Sequence, residues 1–133
     1  MTYQEILDYL FSQLPIYQRD GPQAYKKDIG NIIRASKTIG NPHLKFKSIH
    51  IAGTNGKGST SHFIASIFKK SGYKVGLYTS PHLKDFRERI MLNNDLIPEE
   101  YVINFVMKNK QLFEQLSMSF FEMTVLLAFD FFA

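Results

Sequence analysis

Three glycines and one lysine crowd the run Gly53-Thr54-Asn55-Gly56-Lys57-Gly58-Ser59-Thr60, and the chemistry suited to such a run is anion binding. Glycine removes the Cβ that would block a phosphate, and the loop turns its N–H groups toward an anion at the positive end of the helix that follows. Lys57 can reach β- and γ-phosphates as a point charge. The pattern is G-x-x-G-K-G-S rather than the commoner G-x-x-x-x-G-K-[ST]. Ile51 stands where the first glycine of that pattern falls, and Gly58 separates the lysine from the hydroxyl. Ser59 or Thr60 would lie at the helix start, near phosphate or a divalent cation, or Ser59 would be a plain N-cap. The competing reading is an ordinary glycine-rich turn between a strand and a helix.

Other polar residues carry weaker signals. Ser80-Pro81-His82 follows a short apolar run, and open α/β sheets bind ligands beyond the carboxyl ends of their strands. Ser-Pro alone reads as a turn, and His82 could touch a ligand or make a structural hydrogen bond. Arg87, Glu88 and Arg89 read as a surface ion-pair cluster with a possible loop-ordering role. Ser119 and Glu122 have capping-box spacing.

The elements that must position these residues follow from pattern. Thr2 and Glu5 form a capping box ahead of a helix whose apolar face is Ile6, Leu7, Leu10, Phe11 and Leu14, ended with the help of Pro15. Gly21-Pro22 opens a second helix lined by Ile29, Ile32, Ile33 and Ser36, and Gly40-Asn41-Pro42 stops it. A strand is predicted at 46–51, a helix at 59–71 with the stripe Phe63, Ile64, Ile67 and Phe68, and a strand at 74–79. This order implies parallel strands with a right-handed crossover. Asn93-Asn94-Asp95 joins a small hairpin. Pro98 starts a helix buried through Tyr101, Val102, Phe105, Val106, Leu112, Phe113 and Leu116.

At 133 residues, 44% hydrophobic and 21% charged, the chain suits one globular domain. A net charge of +4 suits a polyanionic small molecule and is too slight to indicate nucleic acid. Cysteine is absent, which excludes disulfides and thiolate metal sites. No signal core follows Met1, so a cytoplasmic location is expected. From Phe120 to Ala133 only Glu122, Thr124 and Asp130 are polar. That run is too short to span a bilayer, and a helix apolar nearly all round needs cover. The chain is therefore expected to be a piece of a longer protein that self-associates through this helix when made alone.

The blocks His50-Ile51-Ala52-Gly53-Thr54-Asn55-Gly56-Lys57-Gly58-Ser59, Gly76-Leu77-Tyr78-Thr79-Ser80-Pro81-His82-Leu83, Glu88-Arg89-Ile90 and Ser119-Phe120-Phe121-Glu122 occur in that order, preceded by Ile39-Gly40-Asn41-Pro42. The chain thus resembles the folylpolyglutamate synthase/dihydrofolate synthase family of the Mur ligase superfamily. Gly58 and the Thr-Ser-Pro-His block favour folate over the peptidoglycan ligases. The fold so implied is α/β, the N-terminal part of a P-loop Mur ligase-type ATPase domain with parallel strands flanked by helices. Residues 1–133 would be the first portion of the ATP-binding domain, without the rest of it or the C-terminal glutamate-binding domain.

The resemblance implies ATP-dependent amide formation: a dihydropteroate or folate carboxylate is phosphorylated to an acyl phosphate, which the amine of L-glutamate attacks. ATP and Mg²⁺ are the implied cofactors. Gly53, Thr54, Asn55, Gly56, Lys57, Gly58, Ser59 and Thr60 are assigned to nucleotide, with Lys57 catalytic, and Ser80 to Mg²⁺. Ser119, Phe120, Phe121, Glu122, Asp28, Ile29 and His82 are assigned to the substrate, although Lys27-Asp28-Ile29-Gly30 departs from the family's usual Leu-Gly-Leu-Glu-Arg. A carboxylate at Glu122 suits the aminopyrimidine edge of a pterin, and a neighbouring phenylalanine its ring. The whole protein is expected to be a monomer, and the piece alone inactive for want of downstream metal ligands. Two alternatives stand beside this: another P-loop Mur-type amide ligase or ATPase, or a non-catalytic interaction module.

Overall fold

The computed structural model describes residues 1–14 and 28–133. Helix α1 (Tyr3–Ser12) begins at a complete capping box: Thr2 Oγ1 accepts from the Glu5 amide at 3.2 Å, and Glu5 Oε2 accepts from the Thr2 amide at 2.6 Å. Its Ile6 and Leu10 are fully buried. Pro15 and the proposed start at Gly21-Pro22 lie outside the described residues. Helix α2 (Gly30–Thr38) ends as expected ahead of Gly40, Asn41 and a short 3-10 turn, Pro42–Leu44. Of its expected stripe, Ser36 is buried and Ile32 packs on the core, whereas Ile29 and Ile33 are exposed and Ala35 takes the buried place beside Ser36.

Residues 46–51 form no strand among the described residues. A strand exists only by pairing, and no described segment lies alongside to supply the ladder. Helix α3 (Lys57–Lys70) starts earlier than predicted and buries no side chain. Its apolar stripe is present but uncovered, with Phe63 70% and Ile67 64% exposed. Strand β1 (Gly76–Tyr78) then pairs antiparallel with β2 (Ile90–Leu92), which pairs antiparallel with β3 (Asp95–Leu96). The parallel arrangement is thus corrected to a three-stranded antiparallel sheet in the order β1-β2-β3. The β2–β3 hairpin lies close in sequence and takes one edge of β1, and residues 46–51 supply no strand to the other. Its turn residues Asn93 and Asn94 both have positive φ, 49° and 71°, as a tight two-residue hairpin turn requires. Asn93 also ties β1 down, since its Oδ1 accepts from the Val75 amide at 2.8 Å.

Helix α4 (Glu99–Gln115) follows Pro98 and buries Val102, Phe105, Val106 and Phe113 as expected, together with Asn109, whose side-chain amide donates to the Phe105 carbonyl at 2.9 Å. Helix α5 (Phe120–Phe132) begins at the Ser119/Glu122 capping box. It was expected to seek a partner surface; instead α1, α2, α4, β1 and the turn at Pro42–Leu44 all pack on it. Phe120, Met123, Leu126, Leu127 and Ala128 are buried, so α5 is the centre of the core. Among the described helices, α3 is the one whose apolar stripe buries no side chain.

Gly76 shows how tightly α5 packs on the sheet. A Cβ built there would lie 2.5–2.8 Å from three ring carbons of Phe132. Gly76→Ala must push that ring aside, and overpacking of this kind typically costs about 1–3 kcal/mol. Equilibrium denaturation of the variant should show a loss of that order. Wild-type stability would mean that Phe132 moves freely.

Candidate functional site: the glycine loop and the loop after β1

The glycine loop leads into α3 with no side chain capping the helix. Gly56 occupies the N-cap position at φ 72°, a left-handed conformation that side chains with a Cβ rarely adopt. Ser59 is therefore inside the first turn, which corrects the N-cap reading. The first intrahelical bond runs from the Thr60 amide to the Gly56 carbonyl at 3.0 Å. The amides of Lys57, Gly58 and Ser59 precede it, at the positive end of the helix dipole. A Cβ at Gly58 would meet nothing within 4 Å, so space stands open over the turn. Lys57 Nζ donates to the Gly53 carbonyl at 2.7 Å, holding the ammonium over its own loop. Residues 53–60 are all exposed.

Helix α3 packs on β1, and the short link at 71–75 makes the two run in opposite directions. The start of α3 and the loop after β1 therefore point to the same end of the pair. That second loop carries Ser80, exposed and joined to Pro81 by a cis peptide, and half-buried His82.

Glu88 builds this loop. Its carboxylate accepts from the amides of Leu83 at 3.0 Å, Lys84 at 3.1 Å and Asp85 at 2.6 Å. It also closes a second capping box with Asp85 at the 3-10 turn Phe86–Arg89. The bond from the Asp85 amide, then that from Leu83, holds the Glu88 carboxyl below the usual carboxylate range. Arg87 pairs with Asp85 at 2.9 Å and lies 3.8 Å from Glu99. The expected surface ion-pair cluster is thus corrected, while the loop-ordering role expected of these residues is carried by Glu88. Only Arg87 makes ion pairs, Glu88 collects backbone amides, and Arg89 turns to His82.

Arg89 Nε donates to His82 Nδ1 at 2.7 Å. The Arg89 carbonyl accepts from the Thr79 amide at 3.0 Å, so its backbone is fixed beside the end of β1. Its guanidinium sits 5.1 Å from the centre of the Phe120 ring. Phe120 stacks on Phe11 at 5.3 Å, and both pack against Phe86. The His82 ring lies 6.0 Å from Phe11 and 6.3 Å from Phe86. Burial, then the Arg89 charge, pushes the His82 imidazole below its ordinary range.

The structure thus brings His82 and Phe120 together through Phe11, Phe86 and Arg89. Phe11 and Phe86 were not singled out for the site in the sequence, and Arg89 only as part of the Glu88-Arg89-Ile90 block with a loop-ordering role; its partner His82 is not readable from that block. Glu122 is buried, and its Oε2 accepts from the Ser119 amide at 2.8 Å and the Ser119 hydroxyl at 3.0 Å, so the capping reading holds. Phe121 is exposed. Asp28 and Ile29 are exposed at the start of α2, where Asp28 Oδ1 accepts from the Gly30 amide at 2.9 Å. They do not join the aromatic cluster, and Lys27 lies outside the described residues. A separate cavity of about 770 Å³, lined in part by Tyr101, Asn104, Lys108 and Asp130, contains none of the predicted site residues.

No group of three or more metal-ligating His, Cys, Asp or Glu side chains occurs among the described residues. Mg²⁺ keeps several waters and takes phosphate oxygens, so the exposed hydroxyl of Ser80 fits as a minor donor to it. No helix among the described residues is long and apolar enough to cross a membrane.

No family model matches the chain. It is 39% identical over 106 residues to folylpolyglutamate synthase of Lacticaseibacillus casei, covering 80% of this chain and 23% of that protein. Its fold matches folylpolyglutamate synthase from Thermotoga maritima with a TM-score of 0.85 at 38% identity, covering 98% of this chain and 30% of that one. It matches an FPGS–AMPPCP–folate complex with a TM-score of 0.85 at 34% identity, covering 99% of this chain and 32% of that one. The chain therefore spans between 23% and 32% of the length of these relatives.

The Glu88 cage carries its own test. Glu88→Ala should speed hydrogen exchange at the Leu83, Lys84 and Asp85 amides while leaving α4 and α5 protected. Because the folded pKa of Glu88 is depressed, its contribution is present above the ordinary carboxylate range and fades as pH falls through the depressed value. Protection at those amides, taken relative to the intrinsic exchange rate at each pH, should fall on acidification over that window in the wild type and stay constant in the variant. Equal protection in both would show that the cage does not order the loop.

Proposed function

The chain belongs to the folylpolyglutamate synthase/dihydrofolate synthase family, and from that premise we propose that it forms the N-terminal portion of an ATP-binding domain in a ligase that adds L-glutamate to dihydropteroate or to folates. The observation that carries the reading is the uncapped start of α3, with Gly56 in the left-handed region and Lys57 poised over the loop. AMPPCP and folate occupy the similar FPGS complex, which supports ATP and a folate as the small molecules in question.

In this reading the amides of Lys57, Gly58 and Ser59 receive phosphate oxygens, with Thr54, Asn55 and Thr60 bordering them. Lys57 leaves the Gly53 carbonyl and neutralises charge on the phosphates. ATP would supply the γ-phosphoryl group, with Ser80 one donor to an accompanying Mg²⁺; transfer to a substrate carboxylate would release ADP, and attack of the glutamate amine on the resulting acyl phosphate would release phosphate. Phe121 offers an exposed ring to a pterin, whereas Phe120 backs the site from within the core. The capped Glu122 holds the start of α5 beside it.

Removing Lys57 deletes one charge-assisted contact, worth about 1.5–3 kcal/mol. Lys57→Ala should therefore weaken AMPPCP binding roughly ten- to a hundredfold with the thermal transition unchanged, as calorimetric titration would read. Unaltered nucleotide affinity would remove the phosphate-loop assignment and favour the interaction module, which the exposed stripe of α3 would suit. Assay of a full-length protein with dihydropteroate and with tetrahydrofolate then separates the two ligase activities.

A further inference from the structure

We propose that Arg89 is a positioning residue that fixes His82 in the Nε2–H tautomer, so that the loop after β1 presents an N–H donor to an oxyanion of the ligand, a carboxylate or phosphate oxygen. The proposal rests on the reading of this loop as part of the ligase site, and it deepens that reading.

The argument is one of obligatory donors. Guanidinium Nε carries one hydrogen and accepts nothing. At 2.7 Å from His82 Nδ1, it can be satisfied only if Nδ1 offers its lone pair. The ring proton of the neutral imidazole must then sit on Nε2, and no hydrogen bond from the described residues engages Nε2. In this family of roles the commoner orienter of a histidine is a carboxylate or carbonyl, which accepts from Nδ1–H and leaves Nε2 as an acceptor. Arginine reverses that polarity and makes His82 a donor.

Arg89 is itself held in three ways. Its carbonyl is bonded to the Thr79 amide, its guanidinium lies over Phe120, and its neighbour Ile90 pairs with Tyr78 in the sheet. Phe11 and Phe86 both lie against one side of the His82 ring, at 6.0 and 6.3 Å between ring centres. Ser80, two residues away, is exposed on the same loop. The donor is therefore built into the sheet end rather than left to a mobile side chain.

Histidine-labelled protein and long-range ¹⁵N–¹H correlation spectra in mildly alkaline buffer read the tautomer directly, with His82→Gln identifying the signals. Nδ1 should show the shift of an unprotonated nitrogen and Nε2 that of a protonated one. Arg89→Met, which keeps the apolar stem over Phe120 but removes the donor, should replace that pattern with averaged tautomers. An Nδ1–H signal in the wild type, or an unchanged pattern in Arg89→Met, overturns the proposal, and the wild-type spectrum decides it even if the variant does not fold.

Adding Mg²⁺–AMPPCP and folate separately should shift the His82 Nε2 signal with at least one of them, and that shift should be lost in Arg89→Met. An Nε2 signal unmoved by both, while the amides of residues 53–60 respond to nucleotide, overturns the donor role and leaves the ligase reading standing. Silent amides at 53–60 count against the ligase reading instead, and the tautomer of the free protein still decides the pairing of Arg89 with His82.

Discussion

Helix α5 has almost no polar face, and the need to cover it on every side organises the rest of the chain. A helix of ordinary amphipathicity can lie on one neighbour; this one draws in α1, α2, α4, β1 and the turn at Pro42–Leu44. Its few polar groups are each satisfied without opening the core. Thr124 Oγ1 donates to the Phe121 carbonyl at 3.0 Å and lies 3.1 Å from the Tyr78 hydroxyl. Asp130 accepts from the Tyr101 hydroxyl at 2.6 Å. Glu122 is consumed by the capping box that starts the helix. Tyr78 ties the sheet to this centre, and Gly76 lets the Phe132 ring approach the strand. With α5 so enclosed, β1 is fixed, and everything that hangs from the end of β1 inherits a rigid base.

The two loops of the site differ in how they are held. Beyond β1, one carboxylate gathers three amides and one guanidinium grips an imidazole, so the loop is ordered by contacts specific to it. Among the described residues, the side chains of the glycine loop make a single hydrogen bond across the loop itself, from Lys57 to the Gly53 carbonyl. A ligand that takes the lysine must break that bond, but it need not rebuild a helix cap because none is present. A prearranged surface beside a loop that exchanges one internal bond for ligand contacts suits a site where orientation matters at one end and charge neutralisation at the other.

How legible this was in the sequence depended on the range of the interaction. The capping boxes at Thr2/Glu5 and Ser119/Glu122 could be read because both partners lie three residues apart and the bonds are local. The Asn93-Asn94 turn was equally legible, since positive φ at two successive positions restricts the residue types. The strand at 46–51 was misread because alternation and β-branching report fitness for a sheet, not the presence of a partner. The parallel pairing is absent among the described residues because its expected partner, 46–51, forms no strand there, while β2, close in sequence, takes one edge of β1. Apolar stripes were found on α3 and α5, yet which of them is covered is a property of tertiary packing, and periodicity assigned the exposed surface to the wrong helix.

The misreading of residues 87–89 shows a further limit. Adjacent charges of opposite sign suggest pairing with one another, but in an irregular turn each side chain leaves in its own direction. Glu88 found amides because the turn Phe86–Arg89 folds the chain back over 83–85, and a carboxylate with three N–H donors has little to gain from a solvated guanidinium. Arg89 found His82 because strand pairing sets it beside Thr79. Both contacts require the backbone to be in place first. The fold therefore comes before the site here: burial of α5 fixes the sheet, the sheet fixes Arg89, and Arg89 decides which nitrogen of His82 carries the proton.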